Sequence, residues 1–222
     1  MNRYATPSGP EGEYEPGSRG KVPRNLMRIR HVGDMNRAEA RALNQAQGRW
    51  FLDGLVTDET RFTSDLIKAM HKDWLDGIYE WAGRYRTVEM SKGGFAFPPA
   101  YLVEANMGRL EAGVLTELTP CRPTSVSDVC RAVAVVHAEL LLIHPFRDGN
   151  GRIARWLAHM MLAQAGMPVP RYGFAGRGSR SQHRNYIAAV MKGYAGDCSD
   201  LGAFLEDAVR RRMRFGLSSE SE

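Results

Sequence analysis

The stretch His144-Pro145-Phe146-Arg147-Asp148-Gly149-Asn150-Gly151-Arg152-Ile153-Ala154-Arg155 lies between two segments that read as helices. Upstream, Ser127 looks like the N-cap of a helix that runs to about Ile143 and is stopped by Pro145. Its inward positions are Val133, Val136, Leu140 and Leu141, apolar enough for a central helix. Downstream, a helix starting near Arg152 carries Ile153, Trp156, Leu157, Met160 and Met161 on one face and ends at Gly166 and Pro168. The connection Asp148-Gly149-Asn150-Gly151 is short and built of residues that tolerate unusual φ. It feeds directly into a helix N-terminus, where free N–H groups and the helix dipole together make a phosphate site.

The flanking side chains suit such a site. Arg152 and Arg155 lie three apart on the first turn, so both can project from one side. Two cations at a helix N-terminus oppose the dipole, a local cost that makes sense if an anion sits between them. Asp148 is a single carboxylate beside that anion, and Mg²⁺ typically takes one or two carboxylates and completes its shell from substrate phosphates and water. His144 is the side chain best suited to accept a proton from a hydroxyl near neutral pH. Taken singly, each residue has a plainer reading. A histidine at a helix end is more often a cap or a packed residue, and Gly-Asn-Gly is more often a turn. Phe146 reads as core and Arg147 as solvent-facing. His137, seven residues before His144 on the same helix face, reads as core or as a supporting residue.

The combination is another matter. It resembles the signature of the Fic family, His-x-Phe-x-(Asp/Glu)-Gly-Asn-Gly-Arg-x-x-Arg, with His144, Phe146, Asp148, Gly149, Asn150, Gly151, Arg152 and Arg155 at every fixed position. At average residue usage a chance match anywhere in such a chain is on the order of 10⁻⁸. Gly77-Ile78-Tyr79-Glu80-Trp81-Ala82-Gly83-Arg84-Tyr85-Arg86 resembles the region before the family's flap, and Arg184-Asn185-Tyr186 through Phe204-Leu205 its C-terminal helices. The resemblance thus spans residues 25–215, between a proline- and glycine-rich tail at 1–20 with little to bury and a polar tail at 216–222.

The remaining segments fit a mainly α fold. Asn36 to Leu55 is rich in alanine and arginine and lacks proline. Asp65 to Ala82 spaces Leu66, Met70, Trp74, Ile78 and Trp81 by threes and fours, one apolar helical face, and Ala100 to Leu118 continues the pattern. One stretch departs from it. Thr87 to Ser91, then Lys92-Gly93-Gly94, then Phe95-Ala96-Phe97 reads as a β-hairpin, with Gly-Gly supplying the positive φ of a tight turn and Pro98-Pro99 closing the second strand. From the residues alone, a surface excursion and a flap beside the active site are equally good readings.

Composition bounds the class. The 222 residues suit one domain plus a tail, 43% hydrophobic and 25% charged, with no apolar run near the ~20 residues that span a bilayer and no apolar N-terminal leader. Cys121, Cys130 and Cys198 form no CxxC pair and no disulfide framework, which suits a reducing cytoplasm; delivery into another cell is the other expectation. The net charge of +5 reads first as a solvated basic surface. A nucleic-acid-binding module is the competing class, but no helix-turn-helix or aromatic-plus-basic strand supports it. Arg210, Arg211, Arg212 and Arg214 complement the end of a last helix.

What the resemblance implies is a helical domain with a β-hairpin flap that moves AMP from Mg·ATP to a hydroxyl of a target protein. Carried over, His144 is the general base, Asp148 holds Mg²⁺, Gly149, Asn150, Gly151 and Arg152 form the anion hole, and Arg155 contacts the terminal phosphate. Lys92, Gly93, Gly94, Phe95, Ala96 and Phe97 line the groove where the target docks. Phosphate or phosphocholine transfer is the alternative within the fold, but kinase-like relatives carry lysine at the position of Gly151. Removal of AMP would need a second acid to position water, and a degenerate scaffold would not keep the whole motif. Many members are held off by a Ser/Thr-x-x-x-Glu-Gly/Asn helix whose glutamate pairs with the second motif arginine, here Arg155. Only Glu222 has a serine four residues earlier, Ser218, with no residue after it to complete the pattern, so two expectations remain: a small antitoxin-like partner supplies that glutamate, the favoured reading, or the enzyme is not held off in this manner.

Overall fold

The computed structural model describes residues 10–122 and 124–217. The helices are α1 (Val32–Leu52), α2 (Ser64–Leu75), α3 (Val103–Leu110), α4 (Thr116–Leu118), α5 (Val126–Ile143), α6 (Asn150–Gln164), α7 (Ser179–Gly193) and α8 (Ser199–Leu217). A two-stranded antiparallel sheet, β1 (Ser91–Lys92) and β2 (Phe95–Ala96), stands between α2 and α3. Among the described residues no helix is long and apolar enough to cross a membrane.

The chain forms two compact units. The first takes residues up to 55, then 63–109 and 143–153. Its core is Met35, Ala38, Ala46 and Trp50 of α1, Ile67, Met70, Trp74 and Leu75 of α2, and Ile78, Tyr79, Trp81 and Phe146. Helix α2 starts where Thr63 caps it, the hydroxyl accepting the N–H of Leu66 at 3.1 Å. It ends at Leu75, and the apolar rhythm continues through turns at Ile78 and Trp81 rather than through helix. The hairpin is shorter than Thr87 to Phe97 suggested. Ser91 pairs with Ala96 and Lys92 with Phe95 around Gly93 (φ 59) and Gly94 (φ 84), the primed-turn geometry Gly-Gly favours.

The second unit takes residues 56–62, 110–142 and those from 154 on. Val129, Val133, Val136 and Leu140 of α5, Trp156, Leu157, Met160 and Met161 of α6, and Leu201, Leu205, Ala208 and Val209 of α8 are buried in it. The cap of α5 is Ser125, whose Oγ accepts the N–H of Asp128 at 3.0 Å, not Ser127. The stretch after Ala100 is helical as expected but holds one π-turn at Glu111–Leu115. Gly166 (φ 68) follows the end of α6.

Two expectations are corrected. Residues 10–20 are no loose tail, although residues 1–9 lie outside the described residues. Tyr14 bridges Pro23, the N–H of Glu15 reaches the carbonyl of Val22 at 2.9 Å, and Glu15, Ser18 and Val22 are buried. Backbone hydrogen bonds, which a count of apolar residues misses, order this strap. Arg147 does not face solvent. It is 3% exposed, with Nε donating to the carbonyl of Glu11 at 2.6 Å, and the Glu11 carboxylate accepts the N–H of Thr87 at 3.0 Å. Residues 218–222, including Ser218 and Glu222, also lie outside the described residues.

Arg86 ties the first unit together. It is 2% exposed and donates to the carbonyls of His144 (2.8 Å), Val88 (2.9 Å) and Pro98 (2.6 Å). Its own N–H reaches the carbonyl of Pro145 at 2.8 Å. Burial lowers its pKa, and Glu89 and Glu11 act against that shift. Arg86→Met should destabilise the fold by about 3–5 kcal/mol, because each buried carbonyl left without a donor costs about 1–3 kcal/mol. Urea unfolding monitored by circular dichroism measures it, and a loss under 1 kcal/mol would contradict this account.

Candidate active site

Within the first unit the structure gathers His144, Asp148, Gly149, Asn150, Gly151 and Arg152 with the hairpin residues Lys92 to Phe97. His144 leaves α5 in the left-handed region at φ 52, a conformation that costs a non-glycine residue energy and persists where surroundings impose it. Arg86 holds its carbonyl, and the ring of Phe97 stacks on its imidazole with centroids 3.7 Å apart. Phe97 is 7% exposed, and Phe95 packs edge-on against it at 5.4 Å. Phe97 therefore supports the histidine, while Lys92 to Ala96 stand at or near the surface.

The loop is clamped from inside. The Asn150 side chain accepts the N–H of Phe146 at 2.8 Å and donates to the Phe146 carbonyl at 2.7 Å, and the residue is 1% exposed. Its amide thus shapes the loop. Asn150 and Gly151 open α6, where an N–H has no intrahelical carbonyl. Gly149 has φ 87, and a Cβ there would come within 2.7 Å of the Trp74 ring. Only glycine lets this backbone lie against that indole. Asp148 Oδ1 accepts the N–H of Gly149 at 2.6 Å and stands 3.6 Å from Arg152 Nη2.

Residues that sequence reasoning missed complete the site. His71 of α2 stacks flat on Phe146 at 3.9 Å. Its Nδ1 accepts the N–H of Gly83 at 2.9 Å, so the ring is neutral, and Nε2–H donates to the carbonyl of Asp148 at 3.1 Å. Glu39 of α1, 3% exposed, accepts from Arg152 Nη1 at 2.5 Å and from the Tyr79 hydroxyl at 2.6 Å. The signal was present: Met35, Glu39, Ala46 and Trp50 share one buried helical row, and a carboxylate in such a row needs a partner. Burial opposes the charge on Arg152, but Glu39 and Asp148 outweigh it and raise the pKa.

Arg155 belongs to the second unit. Its guanidinium lies over the Phe174 ring, 5.9 Å from the centroid, and it hydrogen-bonds Tyr186. The Tyr186 hydroxyl also meets His137 Nε2 at 2.7 Å, and His137 is buried, as its helix position suggested.

Residues 61–162 match the model of the Fic/DOC family. Among its relatives, the chain is 27% identical over 136 residues to the probable protein adenylyltransferase y4lH of Sinorhizobium fredii, covering 61% of this chain and 67% of that protein. It is 25% identical over 218 residues to protein adenylyltransferase VbhT of Bartonella schoenbuchensis, covering 96% of this chain and 42% of that one. The chain thus spans about two thirds of one curated relative and well under half of the other. In fold it is similar to BepC, a VirB-translocated effector of Bartonella tribocorum solved with bound AMPPNP, with TM-score 0.66, 17% identity, and 84% and 91% of the two chains covered. The N-terminal FIC domain of Bep8 from Bartonella sp. 1-1C gives TM-score 0.69 at 16% identity, over 85% of this chain and 91% of that one.

Two buried histidines, His71 and His137, and the half-buried His159 make stability pH-dependent. Burial pushes His71 down to about 4, His159 to about 4 and His137 to about 3, and Arg155 adds to the last two. Their folded values lie below the unfolded value near 6.5, so their stabilisation is full above pH 6.5 and is lost as pH falls toward 4. Protonated His71 would also turn its acceptor Nδ1 into a donor facing the Gly83 N–H. Between those limits each histidine contributes a slope of up to about 1.4 kcal/mol per pH unit. His71→Asn should flatten the denaturation profile by that increment, and a profile parallel to wild type would refute the assignment.

Proposed function

We propose that the chain transfers AMP from Mg·ATP to a Ser, Thr or Tyr hydroxyl of a target protein, releasing pyrophosphate. The observation that carries the reading is a strained, carbonyl-anchored His144 directly ahead of a glycine loop that opens α6 beside Arg152. The relatives named as adenylyltransferases support the choice of group, as does Gly151 at the position where kinase-like members carry lysine.

In this mechanism His144 takes the hydroxyl proton as the oxygen attacks the α-phosphorus. The bond from that phosphorus to the bridging oxygen breaks, and pyrophosphate carries the electron pair away. The N–H groups of Asn150 and Gly151 and the Arg152 guanidinium are already oriented when charge grows on the phosphate oxygens. Arg155, one turn further along α6, is assigned the terminal phosphate. Asp148 fits a cation that takes most of its ligands from substrate, since its carboxylate is 14% exposed beside the anion loop. When bound there, Mg²⁺ supplies neutralisation of the triphosphate. Lys92 to Ala96 are assigned the target segment, which would add as a strand along the hairpin. A small antitoxin-like protein is assigned the inhibitory glutamate, supplied in trans.

Incubation with labelled ATP and Mg²⁺ and a lysate, with mass spectrometry for added AMP, tests the reaction. His144→Ala should lower transfer by about 10²–10⁴-fold with ATP binding retained, and near-full activity in the folded variant would sink the mechanism. Phe95→Asp should impair target modification and spare nucleotide binding. Phe97→Asp should reduce transfer to every acceptor, because it strips the packing from His144. If the two substitutions act alike, the division of labour within the hairpin is wrong.

A further inference from the structure

Arg152 is committed to protein partners on one edge. Its Nη1 donates to Glu39 Oε2 at 2.5 Å, and its guanidinium lies over the Trp74 ring at 4.5 Å from the centroid. The same glutamate governs both contacts. Its other oxygen accepts the Tyr79 hydroxyl at 2.6 Å, and its backbone carbonyl accepts the Trp74 indole N–H at 2.9 Å. Trp74 in turn is the wall against which Gly149 lies. The opposite edge of the guanidinium is different: Nη2 is buried and without a hydrogen-bond partner, 3.6 Å from Asp148 Oδ1. A buried guanidinium N–H left unsatisfied is costly unless a ligand completes it.

We propose that Glu39 is the positioning residue of the anion site: it fixes the Arg152 guanidinium edge-on so that Nη2 meets a phosphate oxygen of the nucleotide. This rests on the reading of the loop as a triphosphate site. Arginine is long and rotamer-rich, and at a helix N-terminus the dipole pushes its charge away. A carboxylate behind it, itself held by Tyr79, orders the side chain during folding rather than on binding, which is where preorganisation gains affinity. Glu39 touches no reacting atom in this arrangement and acts only through Arg152 and Trp74.

The test compares the wild-type chain with Glu39→Ala, Glu39→Gln and Tyr79→Phe, using titration calorimetry with Mg·AMPPNP and, separately, with AMP. Loss of one oriented charge-assisted hydrogen bond predicts AMPPNP binding weakened about 10- to 100-fold in Glu39→Ala. AMP, lacking the outer phosphates, should change by less than about 3-fold. Glu39→Gln keeps an acceptor for Nη1 and should recover part of the loss, and Tyr79→Phe should fall between Gln and wild type. A merely structural role would lower both ligands together, and that result overturns the proposal. So does unchanged AMPPNP binding in Glu39→Ala and Glu39→Gln, and so does tighter binding, which would make Glu39 a competitor of the phosphate. Should Glu39→Ala fail to fold, the Gln and Phe variants decide by the same criteria. A wild-type chain that binds no AMPPNP sinks the triphosphate reading itself, whereas wild-type binding with indifferent variants sinks only the role of Glu39.

Discussion

The face of Trp74 is the constraint from which the site follows. One indole gives its edge to Glu39, its face to Arg152 and its six-membered ring to the backbone at Gly149. In the proposed reading the loop presents backbone N–H groups to an anion, and bulky side chains of its own would fill the space the anion needs. Here the loop is cast against a rigid aromatic wall instead. Glycine at position 149 is the consequence, and so is the reciprocal Asn150–Phe146 clamp, which closes the loop on itself without using the N–H groups that open α6. His71, flat on Phe146 and bonded to the Asp148 carbonyl, secures the same loop from the other side.

Strain at His144 has its counterpart in Arg86. A histidine at φ 52 does not hold that conformation unaided, and the guanidinium bonded to its carbonyl, with an N–H from the same residue on Pro145, fixes the two peptide units that follow it. Arg86 simultaneously binds Val88 and Pro98, so the hairpin base and the histidine share one anchor. Phe97, stacked on the imidazole, is the side-chain version of that coupling. Any movement of the hairpin base is therefore felt at His144.

Much of this was legible in the sequence because the decisive features are local. The glycine loop, the helix start within two residues of it and the arginines three apart all fall in twelve consecutive residues, where spacing fixes geometry. Phe146 and His137 were read as buried for the same reason. The failures are contacts at long sequence separation. Arg147 was assigned to solvent because its acceptor is the carbonyl of Glu11, 136 residues earlier. Residues 10–20 were dismissed because backbone pairing, not apolar content, orders them. The Asn150 side chain braces the loop against Phe146, a local role that residue type alone does not reveal.

Glu39 is the instructive case. The inhibitory pattern is local, a serine or threonine four residues before the glutamate, and Glu39 fails it because Met35 stands there. The structure nevertheless puts its carboxylate on Arg152. The physical criterion that would have found it is burial and not motif. Glu39 sits in a row with Met35, Ala46 and Trp50, and a carboxylate in such a row requires a buried cation or donor to offset desolvation. Arg152 faces the complementary problem, a cation at the positive end of a helix. Each residue relieves the other's cost, so α1 and the start of α6 are joined by an ion pair that neither helix would tolerate alone. The same pair leaves the second edge of the guanidinium buried and without a hydrogen bond. That edge stands 3.6 Å from the Asp148 carboxylate, and it is the edge assigned above to a phosphate oxygen of the nucleotide.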